Sequence, residues 1–203
     1  MRRLCIFAVF MFMFVLAQEE GLYAPAPPAD AAFVRVLHAT PDAAPLSVTI
    51  GDADFGEVSF AQASLYRVVT QGTASLAAGE ISQDVEVSAG KFYTVALTPG
   101  GVLVLEDASS TNRAKALLSL YNLSDLASVD LKTADGKTEV LMGVATGTQK
   151  SIEVNGITVD LAVLADGAEL QSFPGVSLER GAAYSAIVLG GAVIWVQSET
   201  TTE

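Results

Sequence analysis

Few side chains in this 203-residue sequence are suited to chemistry, and their spacing narrows what they can do. His38, in His38-Ala39-Thr40-Pro41-Asp42, is the one imidazole, so any serine–histidine–acid arrangement has to use it. No Gly-x-Ser-x-Gly elbow accompanies it. It closes an alternating apolar run, where a polar strand end is the simpler reading. Asp52, Asp54 and Glu57 crowd three carboxylates into Gly51–Glu57. Calcium takes about six to eight oxygens, and the D-x-D-x-D-G loop is not completed here, so a solvated turn is expected. One Cys and one His exclude His/Cys zinc sites. Asn122-Leu123-Ser124 fits a glycosylation acceptor, a pattern short enough to arise by chance. Trp195 stands alone, whereas a glycan platform exposes several rings, so core packing is the simpler role. The glycines punctuate hairpins and open no helix, so no phosphate cradle and no cofactor is expected. A paired-carboxylate glycosidase stays open, because such acids meet only in three dimensions. No catalytic residue and no metal ligand is assigned.

Charge removes another class. Lys+Arg is 11 against 23 Asp+Glu, a net charge of −12, the opposite of a phosphate-binding footprint. An acidic polysaccharide meets the same repulsion, so any polysaccharide contact is expected to be indirect or weak. The lysines of the second half (Lys132, Lys137, Lys150) make that half the less hostile one.

Residues 1–17 read as a cleaved signal peptide: Met1-Arg2-Arg3, an uncharged run from Leu4 to Leu16, then Val15-Leu16-Ala17 before Gln18. The run is shorter than the roughly 20 residues of a bilayer span. Cleavage removes Arg2, Arg3 and Cys5, which takes the charge to −14 and leaves no cysteine for a disulfide. Apolar burial must then hold the mature chain together.

The elements that must position these residues are strands. Phe33–His38 and Leu46–Ile50 alternate, and Ser151–Val154 and Ile157–Leu161 flank Asn155-Gly156, which predicts a hairpin. Asp135-Gly136, Asp166-Gly167, Gly100-Gly101 and Gly190-Gly191 mark further turns. Only Glu57–Val69 is ambiguous between helix and strand. The two halves repeat. Val85-x-Val87-x-x-Gly90-x-x-Tyr93-x-Val95 matches Val176-x-Leu178-x-x-Gly181-x-x-Tyr184-x-Ala186, and Val34-x-Val36-Leu37-His38 matches Leu118-x-Leu120-Tyr121-Asn122. The fold class is therefore all-β: two tandem related small antiparallel β-sandwich domains of Ig-like or Greek-key type, following the cleaved signal peptide. The boundaries are a Pro/Ala-rich extended arm over 18–32, a first sandwich over 33–106, a linker over 107–113, a second sandwich over 114–197 and a disordered tail over 198–203. Tyr93 and Tyr184 suit either a tyrosine corner or an ordinary core aromatic. Domains this small bury only about 60–65% of their unfolded surface, so the halves are expected to pack together.

Several segments carry a resemblance. They are the export signal, Gly21-Leu22-Tyr23-Ala24-Pro25, Phe33-Val34-Arg35-Val36, Tyr121-Asn122-Leu123-Ser124, Leu131–Val140 and Val176–Gly181. Together they resemble the AlgF family of periplasmic alginate O-acetylation proteins, over essentially the whole mature chain. Val34–Phe60 also resembles a widespread extracellular β-domain. The family resemblance implies a periplasmic, non-catalytic adaptor. Its implied partners are a membrane-bound O-acyltransferase and SGNH-type acetyltransferase subunits that modify mannuronate. Leu22, Tyr23 and Pro25 on the arm are one candidate contact, the alternative being that they pack on the first domain. Lys132, Asp135 and Lys137 are a second, a plain solvated hairpin being the simpler reading. The competing functions are a glycan-binding or cell-surface β-module unrelated to acetylation, and a direct acetyltransferase using His38.

Overall fold

The computed structural model describes residues 26–199. The leader 1–17, the candidates Leu22, Tyr23 and Pro25, and residues 200–203 lie outside the described residues. Every regular element among the described residues is a strand, and no helix there is long and apolar enough to cross a membrane. The first half holds β1 (Ala31–His38), β2 (Leu46–Ile50), β3 (Ala53–Val58), β4 (Arg67–Thr70), β5 (Gly72–Ala78), β6 (Ile81–Val87), β7 (Phe92–Thr98) and β8 (Gly101–Asp107). The second holds β9 (Lys115–Asn122), β10 (Ser128–Thr133), β11 (Glu139–Ala145), β12 (Thr148–Asn155), β13 (Ile157–Ala165), β14 (Ala168–Leu178), β15 (Ala182–Leu189) and β16 (Ala192–Glu199). β1 begins two residues earlier and β12 three residues earlier than the sequence pattern marks, β2 and β13 begin where it marks them, and Ser198 belongs to β16.

Two four-stranded sheets form each half. Their orders are β4-β1-β7-β8 and β3-β2-β5-β6, then β12-β9-β15-β16 and β11-β10-β13-β14. The second set is the first with eight added to every strand, so the internal repeat is a duplication of topology. Neighbours run antiparallel except β1 with β7 and β9 with β15, which are parallel. The register confirms the repeat residue by residue: Val34 lies opposite Tyr93, and Leu118 opposite Tyr184.

Each sandwich has its own core. Val34, Val36, Ile50, Leu76 and Val95 fill the first, and Leu118, Leu120, Leu131, Leu161 and Ala186 the second. The alternate residues of the β1 and β9 sheets form a third cluster between the halves, with Leu37, Ala96, Tyr121, Leu123, Ile187 and Leu189. β1 is consequently buried on both faces along its whole length. Each buried Leu or Ile there contributes about 1.5–3 kcal/mol, so the sandwiches dock as one body.

Local chemistry explains the turns. Asp166 and Gly167, both at positive φ, join β13 to β14. Gly190-Gly191 joins β15 to β16, and Gly100 sits in the β7–β8 turn. Asn155-Gly156 does not make the expected hairpin: β12 pairs with β9, whereas β13 pairs with β10 and β14. The chain crosses there from one sheet to the other. Glycine is required for close approach, since a Cβ on Gly156 would meet Arg180 Cγ at 2.9 Å and the Leu178 carbonyl at 3.3 Å. The ambiguous 57–69 segment is not helical. It carries the end of β3, a connection bridged at Ala63 to Leu37, and β4.

The repeated tyrosines close equivalent corners. Tyr93 Oη accepts from the Ser88 N–H at 3.2 Å, and Tyr184 Oη from the Glu179 N–H at 2.9 Å. Between each donor and its tyrosine lies a glycine at positive φ, Gly90 or Gly181. The rings are buried and the hydroxyls tie the turns, which selects the corner over the plain core aromatic. Tyr93→Phe and Tyr184→Phe should each lower stability by about 0.5–1.5 kcal/mol in chemical denaturation, with no change in fold. Unchanged midpoints in both would reduce the pair to core aromatics.

Candidate functional site

The largest polar constellation lies buried between the sandwiches, where sequence reading placed nothing. Arg35 projects from the middle of β1 toward the second half and is 1% exposed. Its Nε donates to Thr94 Oγ1 at 2.8 Å, and its terminal nitrogens reach Ser198 Oγ at 3.3 Å and Ser185 Oγ at 3.4 Å. Asp107, placed in the linker by the sequence pattern, is instead the last residue of β8 and is buried. Its Oδ2 accepts from Tyr66 and Thr94 and its Oδ1 from Tyr121, each at 2.7 Å. Asp107 Oδ2 stands 3.9 Å from Arg35 Nε. The guanidinium lies over the rings of Tyr66 and Tyr121, 5.1 and 5.5 Å from their centroids.

Electrostatics fix the protonation states. Burial first, then the Asp107 charge, pushes the Tyr121 phenol up; burial also dominates at Tyr66. Both hydroxyls therefore stay protonated and donate. Burial opposes the Arg35 charge, but Tyr66, Tyr121 and Asp107 around it hold its pKa above the ordinary value. A cavity of about 20 Å³ lies alongside, edged by Ser119, Ser185 and Ser198. It has room for about one water and none for a sugar ring.

His38 is fully buried at the end of β1. Its Nε2 lies 3.2 Å from the Ala44 carbonyl, and its Nδ1 accepts from the Thr40 N–H at 3.3 Å. Asn122, its repeat equivalent, does the same work: Nδ2 donates to the Leu126 and Val144 carbonyls, and Oδ1 accepts from the Ser124 N–H. Both side chains pin the connection that follows the first strand of each half. Asn122 is 0% exposed, which leaves no accessible glycosylation acceptor.

The other sequence candidates resolve as follows. Asp54 Oδ1 accepts from the Gly56 N–H at 2.8 Å in the β2–β3 hairpin, and no group of three metal-ligating residues occurs among the described residues. Trp195 packs in the second core against Phe173 and Tyr184, with centroids 5.4 and 5.9 Å away. Lys132, Asp135 and Lys137 do come together at the β10–β11 turn. Their charges are matched within it: Lys132 with Glu139 at 3.2 Å, and Lys137 with Asp135 at 3.0 Å. Asp135 Oδ1 accepts from Thr133 Oγ1 and the Lys137 N–H, and the Thr133 bond leads in lowering the carboxyl to about 2.

A family model described as "Alginate O-acetyl transferase AlgF" matches residues 8–185. The chain belongs to the AlgF family. The alginate biosynthesis protein AlgF of Pseudomonas putida is 32% identical over 183 residues, 88% of this chain and 84% of that protein. The AlgF protein of Pseudomonas aeruginosa is 29% identical over 202 residues, 97% of this chain and 92% of that one. The solved C-terminal domain of AlgF from P. aeruginosa is 33% identical and covers 42% of this chain and 98% of its own, with a TM-score of 0.37. AlgF proteins act in alginate biosynthesis, in its O-acetylation.

In this member of the AlgF family the sequence did hold one signal for the buried cluster: Arg35 interrupts an otherwise apolar strand. Its partners come from six other segments, up to 163 residues away, and no spacing rule joins them.

Asp107→Asn leaves the Arg35 charge uncompensated and should cost about 3–5 kcal/mol, roughly 10 °C in melting temperature. Arg35→Met with Asp107→Leu should recover most of that loss; a loss below about 1 kcal/mol in Asp107→Asn would show that the cluster does not hold the halves. The Asp135 carboxyl, followed by NMR, should titrate with a midpoint of about 2. Its folded pKa lies below the unfolded one. Its small contribution to hairpin stability is therefore complete above about pH 4 and lost as pH falls through about 2. Thr133→Val should raise the midpoint.

Proposed function

We propose that this chain is a non-catalytic adaptor of the alginate O-acetylation machinery, exported to the periplasm by residues 1–17. There it links an inner-membrane O-acyltransferase with SGNH-type acetyltransferases. One observation carries the reading: the sole imidazole has both ring nitrogens engaged by backbone, at a position where the second half uses asparagine for the same task. A general base needs a free nitrogen facing a nucleophile, and His38 faces its own loop. The rest of the molecule supports the same reading. The two small sandwiches are held at one fixed spacing, and the interdomain cavity is too small for a polymer residue. Leu22, Tyr23 and Pro25 of the arm are proposed as one partner contact, and the Lys132–Asp135–Lys137 turn as a second. Trp195 packs against Phe173 and Tyr184 in the second core, a structural role that does not call for a glycan platform.

The test is complementation of a deletion strain, scored by acetyl content of the secreted polymer per molecule of soluble protein. His38→Asn should restore acetylation fully. Deletion of 18–28 should lower it severalfold while leaving the melting temperature of the purified protein unchanged. Abolished acetylation in a folded His38→Asn variant would instead assign catalysis to the chain.

A further inference from the structure

Four sheets present eight edge strands, and seven are visibly guarded against pairing with another chain. β4 is four residues long. β3 and β11 carry bulges in their pairing, and β14 carries bulges and Pro174. β6 displays Asp84 and Glu86, and β12 displays Lys150 and Glu153. β8 has its outward Glu106 carbonyl capped by Gln149 Nε2 from the second sandwich at 3.2 Å.

Up to Ser198, before the terminal Glu199, β16 carries none of these devices. It pairs with β15 without a register shift over eight residues, Ala182↔Glu199 to Leu189↔Ala192. Ala192-Val193-Ile194-Trp195-Val196 is uncharged and wholly apolar, and the strand has no proline and no glycine. Every residue from Ala192 to Ser198 is at least partly exposed, whereas β15 beside it is buried from Tyr184 to Leu189.

The ladder shows which main-chain groups are open. Leu189 and Ala192 close a two-residue turn and form a hydrogen-bonded pair, so pairs alternate from there. Val193, Trp195 and Gln197 therefore turn their N–H and C=O groups away from β15. The same count on β8 turns Glu106 outward, in agreement with its Gln149 cap.

We infer that β16 is an interaction edge to which an extended segment of a partner protein adds as a further strand, bonded main chain to main chain at Val193, Trp195 and Gln197. An open edge specifies an extended backbone as its occupant. The charge selects among extended backbones: a chain carrying −12 repels its own copies and favours a segment with lysine or arginine. Placing that partner among the acetyltransferase subunits rests on the adaptor reading above.

Proline at an outward-facing edge position removes only the outward donor and leaves the β15 ladder whole. Gln197 is exposed, so Gln197→Pro spares the core. The experiment measures binding of the mature chain to a purified SGNH-type acetyltransferase subunit of the same organism. Gln197→Ala, which keeps the N–H, should bind as the wild type does. Gln197→Pro should bind about tenfold or more weakly with its melting temperature retained. Gln197→Lys, which leaves the main chain untouched, should weaken binding severalfold by repelling a basic segment. Equal binding by wild type and both disruptive variants overturns the edge proposal and leaves the adaptor reading standing. No binding by the wild type defeats the adaptor reading and, with it, the occupant named here. A wild-type dimer that Gln197→Pro dissociates overturns the proposal in favour of a second copy.

Discussion

One carboxylate decides how the two halves sit. Asp107 is buried at the end of β8, with three hydroxyls donating to it and a guanidinium close by. A buried charge is tolerated only when its lone pairs are satisfied, and here the donors come from both sandwiches. Thr94 and Tyr66 belong to the first, Tyr121 to the second. Sliding one sheet over the other would strand the carboxylate, so the apolar cluster supplies attraction and Asp107 supplies register. Apolar contact alone is non-directional and permits several docked arrangements.

The duplication sharpens this point. By register, Arg35 corresponds to Ser119, Thr94 to Ser185 and Asp107 to Ser198. The first half thus carries the charges, and the second offers hydroxyls at the equivalent places. Serines at Ser185 and Ser198 complete the coordination of Arg35 without a second pair of charges to desolvate. Divergence between the halves built an interface that two identical sandwiches could not have made.

The fold was legible because its signals are local and repeated. Alternation gave the strands, and the Gly–Tyr spacing gave equivalent corners. The match of His38 with Asn122 survives in the three-dimensional register. What local signals misread was where a strand goes next. Asn155-Gly156 has hairpin chemistry, yet the residues that decide its course are Arg180 and Leu178, which crowd Gly156 from a strand away. Arg35 passed as one polar position of an alternating strand, and Asp107 looked like the start of a polar linker. Nothing within its own segment reveals that three hydroxyls converge on it. Lys132, Asp135 and Lys137 do lie at one turn, where their charges are answered inside the turn itself.

The halves differ most in the connection leading to their equivalent edge strands. Eight residues separate β3 from β4, while two separate β11 from β12. The long connection inserts Phe60, Ala61 and Ala63 between the sandwiches and delivers Tyr66 to Asp107. The short one keeps β12 close to β8 and brings Gln149 to the Glu106 carbonyl. Equivalent edges β8 and β16 therefore meet different neighbours. The loop that completes the buried cluster is spent on the interface, and the side-chain cap that closes β8 has no counterpart on β16 among the described residues. In a duplicated protein the residues shared by both halves maintain the fold. The places where the halves part are where a surface is free to acquire a partner.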